Sequence, residues 1–219
     1  LTENVTGSNN TAIGRSSLYS NKDGNHNTAA GNNSLLSNTE GNNNVALGSG
    51  ALERNTIASN NTATGVFSLH DNISGEKNSA VGYISLSKNT TGNSNTAVGN
   101  AALYSNTIGN SNVAAGNNAL QSNISGSYNI SIGENSLLLN KVGNRNIGVG
   151  NNSLLRNESG NNNVAIGDNT LTESLSCDNN TAIGNFSLNK NTIGINNTAS
   201  GHMSLKSNTC LLYTSDAAD

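Results

Sequence analysis

The chain has 219 residues, of which 47 are Asn and 24 Gly, with no Pro or Trp and only 33% hydrophobic and 3% aromatic residues. So few large apolar side chains cannot fill a compact globule of this length, which leaves disorder or a thin structure with every residue near a surface. Ten cations against thirteen anions, net −3, remove charge repulsion as a reason to stay open, and with it the basic footprint of a nucleic-acid or membrane-surface binder.

The first residues already belong to a repeat. Leu1, Asn4 and Gly7 precede Leu18, Asn21 and Gly24 by seventeen, so the sequence is expected to be a fragment that opens within a unit. Asn10-Thr11-Ala12-Ile13-Gly14, closed by Leu18, is the first complete statement of the motif, and it returns as Asn163-Val164-Ala165-Ile166-Gly167 with Leu171 and Asn180-Thr181-Ala182-Ile183-Gly184 with Leu188. Gly recurs every seventeen residues from Gly14 to Gly201, with Leu four residues after each, and no insertion interrupts the twelve copies. A fixed period of this kind marks a stacked repeat architecture.

Counting each unit from its Asn as position zero, position one is Thr, Val, Ile or Ser, and position two is Ala except at Ser131 and Gly148. Position three is mostly aliphatic, and position four is always Gly. Branched and very small side chains therefore alternate, which predicts a short strand over positions one to three with two differently crowded faces. Position seven is Ser, Ala or Thr and position eight always Leu, which predicts a second short extended segment around positions six to nine. Position eleven is Asn except at Ser174, and position fourteen is mostly Gly, replaced by Ala58 and Cys177. Asn/Gly-rich bends are expected near positions four and five and from eleven to sixteen.

Each unit mixes Gly, Asn and Thr, all weak helix formers, and seventeen suits neither a heptad nor a hendecad. The hairpin dipeptide Asn-Gly never occurs, whereas Gly-Asn is frequent (Gly24-Asn25, Gly92-Asn93, Gly143-Asn144). The predicted fold is all-β, a parallel β-solenoid of twelve seventeen-residue coils over 1–208, with Leu18 to Leu205 as a continuous internal ladder and Asn at positions zero and eleven stacked as amide ladders. No apolar run approaches the ~20 residues of a membrane span. Beyond 208 the period is lost. The tail 209–219, ending Cys210-Leu211-Leu212-Tyr213, then Thr214 to Asp219, resembles an in-frame translation of a sequencing adaptor and is set apart from the fold.

Chemistry needs unlike residues converging on one place. His26, His70 and His202 fall at positions sixteen, nine and five of well-separated units, and Glu40, Glu53, Asp71, Glu76, Glu134 and Asp168 scatter over variable positions. No Asp recurs as calcium-binding rolls require, and no Lys-Ser/Thr follows a Gly-rich stretch as phosphate loops require. Cys177 occupies a Gly position without a recurring His partner and reads as a tolerated small residue rather than a nucleophile. No catalytic, cofactor-binding or metal residue is assigned, and an enzyme is not expected. Two sets of positions remain for binding. Thr11, Thr28, Thr62, Thr96, Thr181 and Thr198 form a partial row of the kind ice-binding solenoids present, interrupted by Val45, Val113, Ile130, Ile147 and Val164. The variable positions beyond the strand, five and nine among them, carry Arg15, Tyr19, Phe67, His70, Tyr83, Tyr104 and Phe186, the residues expected to select a partner if any do.

The unit Asn-x-Ala-Ile-Gly-x-x-Ser-Leu, clearest at 10–18, 163–171 and 180–188, resembles the head repeats of YadA-like trimeric autotransporter adhesins and, equally, the shaft repeats of phage tail-fibre-like proteins. The resemblance covers 1–208. It implies a left-handed β-roll, a homotrimer whose contact is the Ala/Gly face, an extracellular position on a bacterial surface through an anchor outside this chain, and a structural role in attachment to a host surface or matrix ligand. The tail-fibre likeness implies a virion shaft instead. The adhesin repeats are shorter, about fourteen residues, so the coil's cross-section and the trimer do not transfer automatically.

Overall fold

A computed structural model describes residues 2–209. Leu1 and the tail from Cys210 onward lie outside the described residues, so the expectation about the tail is not addressed by it. Each unit contributes one strand of three residues, from β1 (Thr11–Ile13) and β2 (Thr28–Ala30) to β11 (Thr181–Ile183) and β12 (Thr198–Ser200), and together they form a single twelve-stranded sheet in strictly sequential order. Every pairing is parallel and offset by one unit, as in Thr11↔Thr28, Ala12↔Ala29 and Ile13↔Ala30. A parallel partner directly next in sequence requires the chain to make a full circuit and land beside its own start. The molecule is therefore a β-solenoid, as the period predicts.

The circuit is narrow. Its apolar filling is the Ala at position two of the strand and the Leu at position eight, with Leu18 to Leu188 and Ala29 to Ala182 fully buried, while Leu205 in the last unit is open. Ala51, Ala102 and Ala119 at position seven add to it, and most of the remaining interior is amide and hydroxyl. Asn at zero and eleven is buried in nearly every unit, and such groups are tolerated only when bonded. Asn38 Nδ2 donates to Asn21 Oδ1 of the preceding coil (2.8 Å) and to Gly41 O of its own (3.0 Å). Asn27 Nδ2 donates to the same Gly41 O (2.7 Å), while Asn10 Oδ1 accepts from the Asn27 backbone N–H (2.9 Å). Both amide ladders thus converge on the carbonyl of position fourteen and fix the width of the coil.

A third ladder was not expected. At position fifteen, Asn42 Oδ1 accepts from Asn25 N, Ser59 Oγ from Asn42 N, and Asn144 Oδ1 from Ser127 N. It satisfies the backbone of the outer bend from the coil that follows.

The predicted extended segment around positions six to nine is not a strand. It is a run of tight turns in which positions six and eight hold positive φ, for example Ser16 at 56° and Leu18 at 48°. Ser17 N bonds to Gly14 O and Leu36 N to Asn33 O, the three-residue closures of successive turns. The sign alternation folds the chain back sharply, yet inter-coil bonding continues, with Leu18 N donating to Ser34 O (3.0 Å) and Asn33 N to Arg15 O (2.9 Å). A left-handed conformation costs an ordinary residue ~1–2 kcal/mol. Burying each Leu contributes ~2 kcal/mol, which offsets that cost and explains why the position is Leu in every unit rather than Gly.

The expectation that the Ala/Gly face meets another chain is also corrected. The position-two Ala points into the coil against Leu, and a Cβ at Gly14 (φ 117°) would lie 2.8 Å from Gly31 O of the next coil. The crowding that selects Gly at position four is the neighbouring rung of the same chain, in a conformation that only Gly adopts readily. The two exceptions in the Ala position form one local device. Ser131 Oγ donates to Ser136 O (2.7 Å), Ser136 Oγ to Gly148 O (3.1 Å), and the Ser136 and Ser153 hydroxyls meet at 2.8 Å in the space that a side chain at Gly148 would take.

Candidate functional site

With the Ala turned inward, the outer face of the sheet is made of positions one and three. Across all twelve strands these carry only Thr, Val, Ile, Leu, Ala and Ser. The larger ones are well exposed, Ile13 at 64% and Val98 and Ile183 at 44%. Every Asp, Glu, Lys, Arg and His of the repeat lies instead at positions five, nine, ten, twelve, thirteen, fifteen or sixteen. A chain that is one fifth Asn therefore keeps one flat face free of charge and amide. Three residues at ~3.3 Å and eleven spacings of ~4.8 Å give it a footprint on the order of 500 Å², within the range of the largest apolar patches on ordinary monomers. The Thr row of position one stands on this face beside the aliphatic row.

A second feature lies off the sheet, on the flank formed by positions five, six, nine and ten. Phe67, His70, Tyr83 and Tyr104 are brought together there, with Arg54, Asp71, Ser87 and Lys88, around a shallow hollow of about 450 Å³. The stacking of the coils explains it. Position nine reads Glu53, His70, Ser87, Tyr104 up the rod, so the small Ser87, itself nearly buried, leaves a gap between two rings. Phe67 and His70 meet edge to face at 5.4 Å. Asp71 Oδ1 is 2.6 Å from His70 Nδ1 and 3.2 Å from Arg54 Nη1, and Glu53 Oε2 is 3.6 Å from His70 Nε2. Lys88 Nζ sits 4.8 Å over the Tyr104 ring.

The other residues of the variable positions do not join it. Phe186 packs against His202 (6.4 Å) and under Lys206 (5.1 Å) far along the rod, and Arg15 and Tyr19 belong to the first unit. Arg54 and Lys88 were not singled out from the sequence, and Asp71 was read only as one of the scattered carboxylates, because position ten carries no fixed residue type. The signal that finds them is the seventeen-residue offset, which makes Arg54 and Asp71, like Arg156 and Glu173, neighbours on adjacent coils.

A second hollow of about 340 Å³, lined by Tyr128, Asn144, Arg145, Asn161, Asn162, Asp178 and Asn179, has two of its acceptors already engaged, since Asn161 Oδ1 and Asp178 Oδ1 accept from the backbone N–H groups of Asn144 and Asn161. Cys177 is fully buried, with Sγ 3.1 Å from Thr192 O, and burial pushes its thiol pKa up, so the neutral, unreactive form dominates at physiological pH. Among the described residues no three His, Cys, Asp or Glu side chains are grouped to hold a metal ion, and no helix is long and apolar enough to cross a membrane. Comparison with protein-family models, with curated proteins and with solved structures returns no match.

Proposed function

We propose that this chain is the rigid rod of a surface-exposed attachment fibre, of the kind found in trimeric bacterial adhesins, in which copies associate side by side through the outer face of the sheet. The uncharged face carries this reading. On a surface otherwise rich in Asn and charge, twenty-four outward strand positions without either are kept for contact with another uncharged surface. An interface between copies has the same flatness, length and rung spacing on both sides. The ladders supply the stiffness a rod needs, and the repeat itself calls for no chemistry. The position is extracellular, and a virion tail-fibre shaft is the runner-up with the same physics. The two differ in what accompanies the gene, a membrane-barrel anchor in one case and a tail-assembly cassette in the other.

Sedimentation equilibrium on residues 1–209 tests the association. A trimer at micromolar concentration is expected, and Val98→Lys with Ile132→Lys, both outward and about 40% exposed, is expected to yield monomer with the circular dichroism of the parent. A well-folded monomer before any substitution would sink the proposal. The Thr row on the same face favours one further reading, ordering of a water lattice. Unaltered ice-crystal growth at micromolar protein removes it.

A further inference from the structure

We infer that the hollow around Ser87 is a binding site for a neutral saccharide of one or two pyranose rings. A pyranose presents an apolar C–H face and an edge of vicinal hydroxyls, and the hollow offers a partner for each. Tyr83 (56% exposed) and Phe67 (41%) supply open aromatic faces, whose negative quadrupole attracts polarised C–H groups. Asp71 and Arg54, 3.2 Å apart, set a carboxylate acceptor beside a guanidinium donor at its rim, one of each for adjacent hydroxyls. The volume of about 450 Å³ is within the range of small-ligand sites.

Charge selects against other ligands of this size. Lys88 already occupies the Tyr104 face at 4.8 Å, which repels a quaternary or primary ammonium that an aromatic cage would otherwise take. Glu53 and Asp71 balance Arg54 and Lys88, so no net positive charge remains for an acid. An uncharged, polyhydroxylated ring is the ligand that satisfies both faces of the site. None of the positions five, six, nine and ten lies in a strand, so the site sits off the face through which copies are proposed to associate.

Saturation-transfer NMR on the full chain, with cellobiose, lactose and N,N′-diacetylchitobiose as probes at about 1 mM and glucuronic acid as the charged control, tests the inference. Transfer to ring C–H protons of at least one neutral disaccharide is expected. In Tyr83→Ala, whose side chain is mostly exposed, and in Ser87→Tyr, which fills the gap, affinity is expected to fall about three- to ten-fold. A variant counts only when its circular dichroism matches the parent, and Tyr19→Ala, in the first unit and outside the hollow, is expected to leave neutral binding within about two-fold. No transfer to any of the three disaccharides, transfer unchanged in both Tyr83→Ala and Ser87→Tyr, or preference for glucuronic acid each overturns it.

Discussion

Leu103 shows what a single residue does in this fold. It is fully buried, it holds φ at 54°, and its N–H donates to Ala119 O at 2.9 Å. Replacing it with Ala removes apolar contact with the Leu above and below, in a coil too thin to collapse around the void, and is expected to cost about 2–5 kcal/mol. Leu103→Gly separates the packing cost from the backbone cost. At an ordinary position Gly is ~0.5–1 kcal/mol worse than Ala, but at a left-handed residue the relief of strain reverses the order. Urea unfolding of the two variants checks this, and a Gly variant clearly less stable than the Ala variant contradicts the left-handed assignment.

Ser174 and Cys177 test the residue scale in another way. Both depart from their positions in the same unit, where Asn and Gly are usual. Without an amide at 174, Asn157 Oδ1 is buried with no donor. A Cβ at position fourteen presses on the position-eleven amide, at 2.5 Å between Gly24 and Asn21 Oδ1. Ala58 beside Asn55 shows that a methyl is accommodated, and the Cys sulfur then takes the room that the missing amide leaves. Ser174→Asn alone is expected to be neutral or destabilising, and Ser174→Asn with Cys177→Gly to be more stable than the parent. A coupling of about 0.5–3 kcal/mol in a double-mutant cycle is the expected result, and additivity contradicts the pairing.

At the scale of the element, the unit is a coil whose width is set by amides rather than by a core. Asn123 Nδ2 donates to Asn106 Oδ1 (2.7 Å) and to Gly126 O (2.9 Å), and its Oδ1 accepts from Asn140 (2.9 Å). Asn123→Ala leaves Gly126 O bonded to Asn112, but it strands Asn106 Oδ1 and one of the two Nδ2–H donors of Asn140, whose other still reaches Gly143 O. The expected cost is about 1–3 kcal/mol by thermal or urea unfolding. A similar cost is expected for Asn123→Leu, because extra apolar area does not replace the lost donor.

The strand, its parallel register, the Leu filling and the amide ladders at zero and eleven were legible because each depends on a residue type that is fixed or nearly so at its position, with Ser131, Gly148 and Ser174 as the departures. The turns at six and eight were not. Leu has no preference for positive φ, so its presence at position eight hides a backbone that burial alone enforces. The ladder at fifteen was hidden for the opposite reason. Asn42, Ser59, Asn144 and Asp178 all serve there, because a backbone N–H needs only an oxygen, and the position therefore looks variable. The hollow depends on residues one coil apart, among positions whose identities do not repeat, and only the stacking reveals it.

At the scale of the whole molecule, every stabilising interaction named above connects residues in the same coil or in the next, so the rod is quasi-one-dimensional and its stability is a sum of coil and neighbour terms. Its two ladder directions make the length of the repeat more important than the identity of any unit. Deleting residues 112–128 removes one coil and joins Ser111 to Asn129. Asn129 then stands above Asn95, Ile130 above Thr96 and Leu137 above Leu103, each in a position of its own kind. The shortened chain is expected to keep the parent's circular dichroism and to unfold within a few degrees of it. Deleting 112–127, one residue fewer, leaves Tyr128 as an extra residue in the outer bend, which the exposed position tolerates at a modest cost. Deleting 113–130 instead joins Asn112 to Ser131 and so omits one residue from the strand. Ser131 then falls at position one and Ile132 at position two, turning a large side chain into the Ala space against Leu and placing Glu134 at the Gly position, whose Cβ has no room beside the next carbonyl. That chain is expected to lose cooperative unfolding. Equal thermal midpoints for the three deletions would show that the rod does not depend on register.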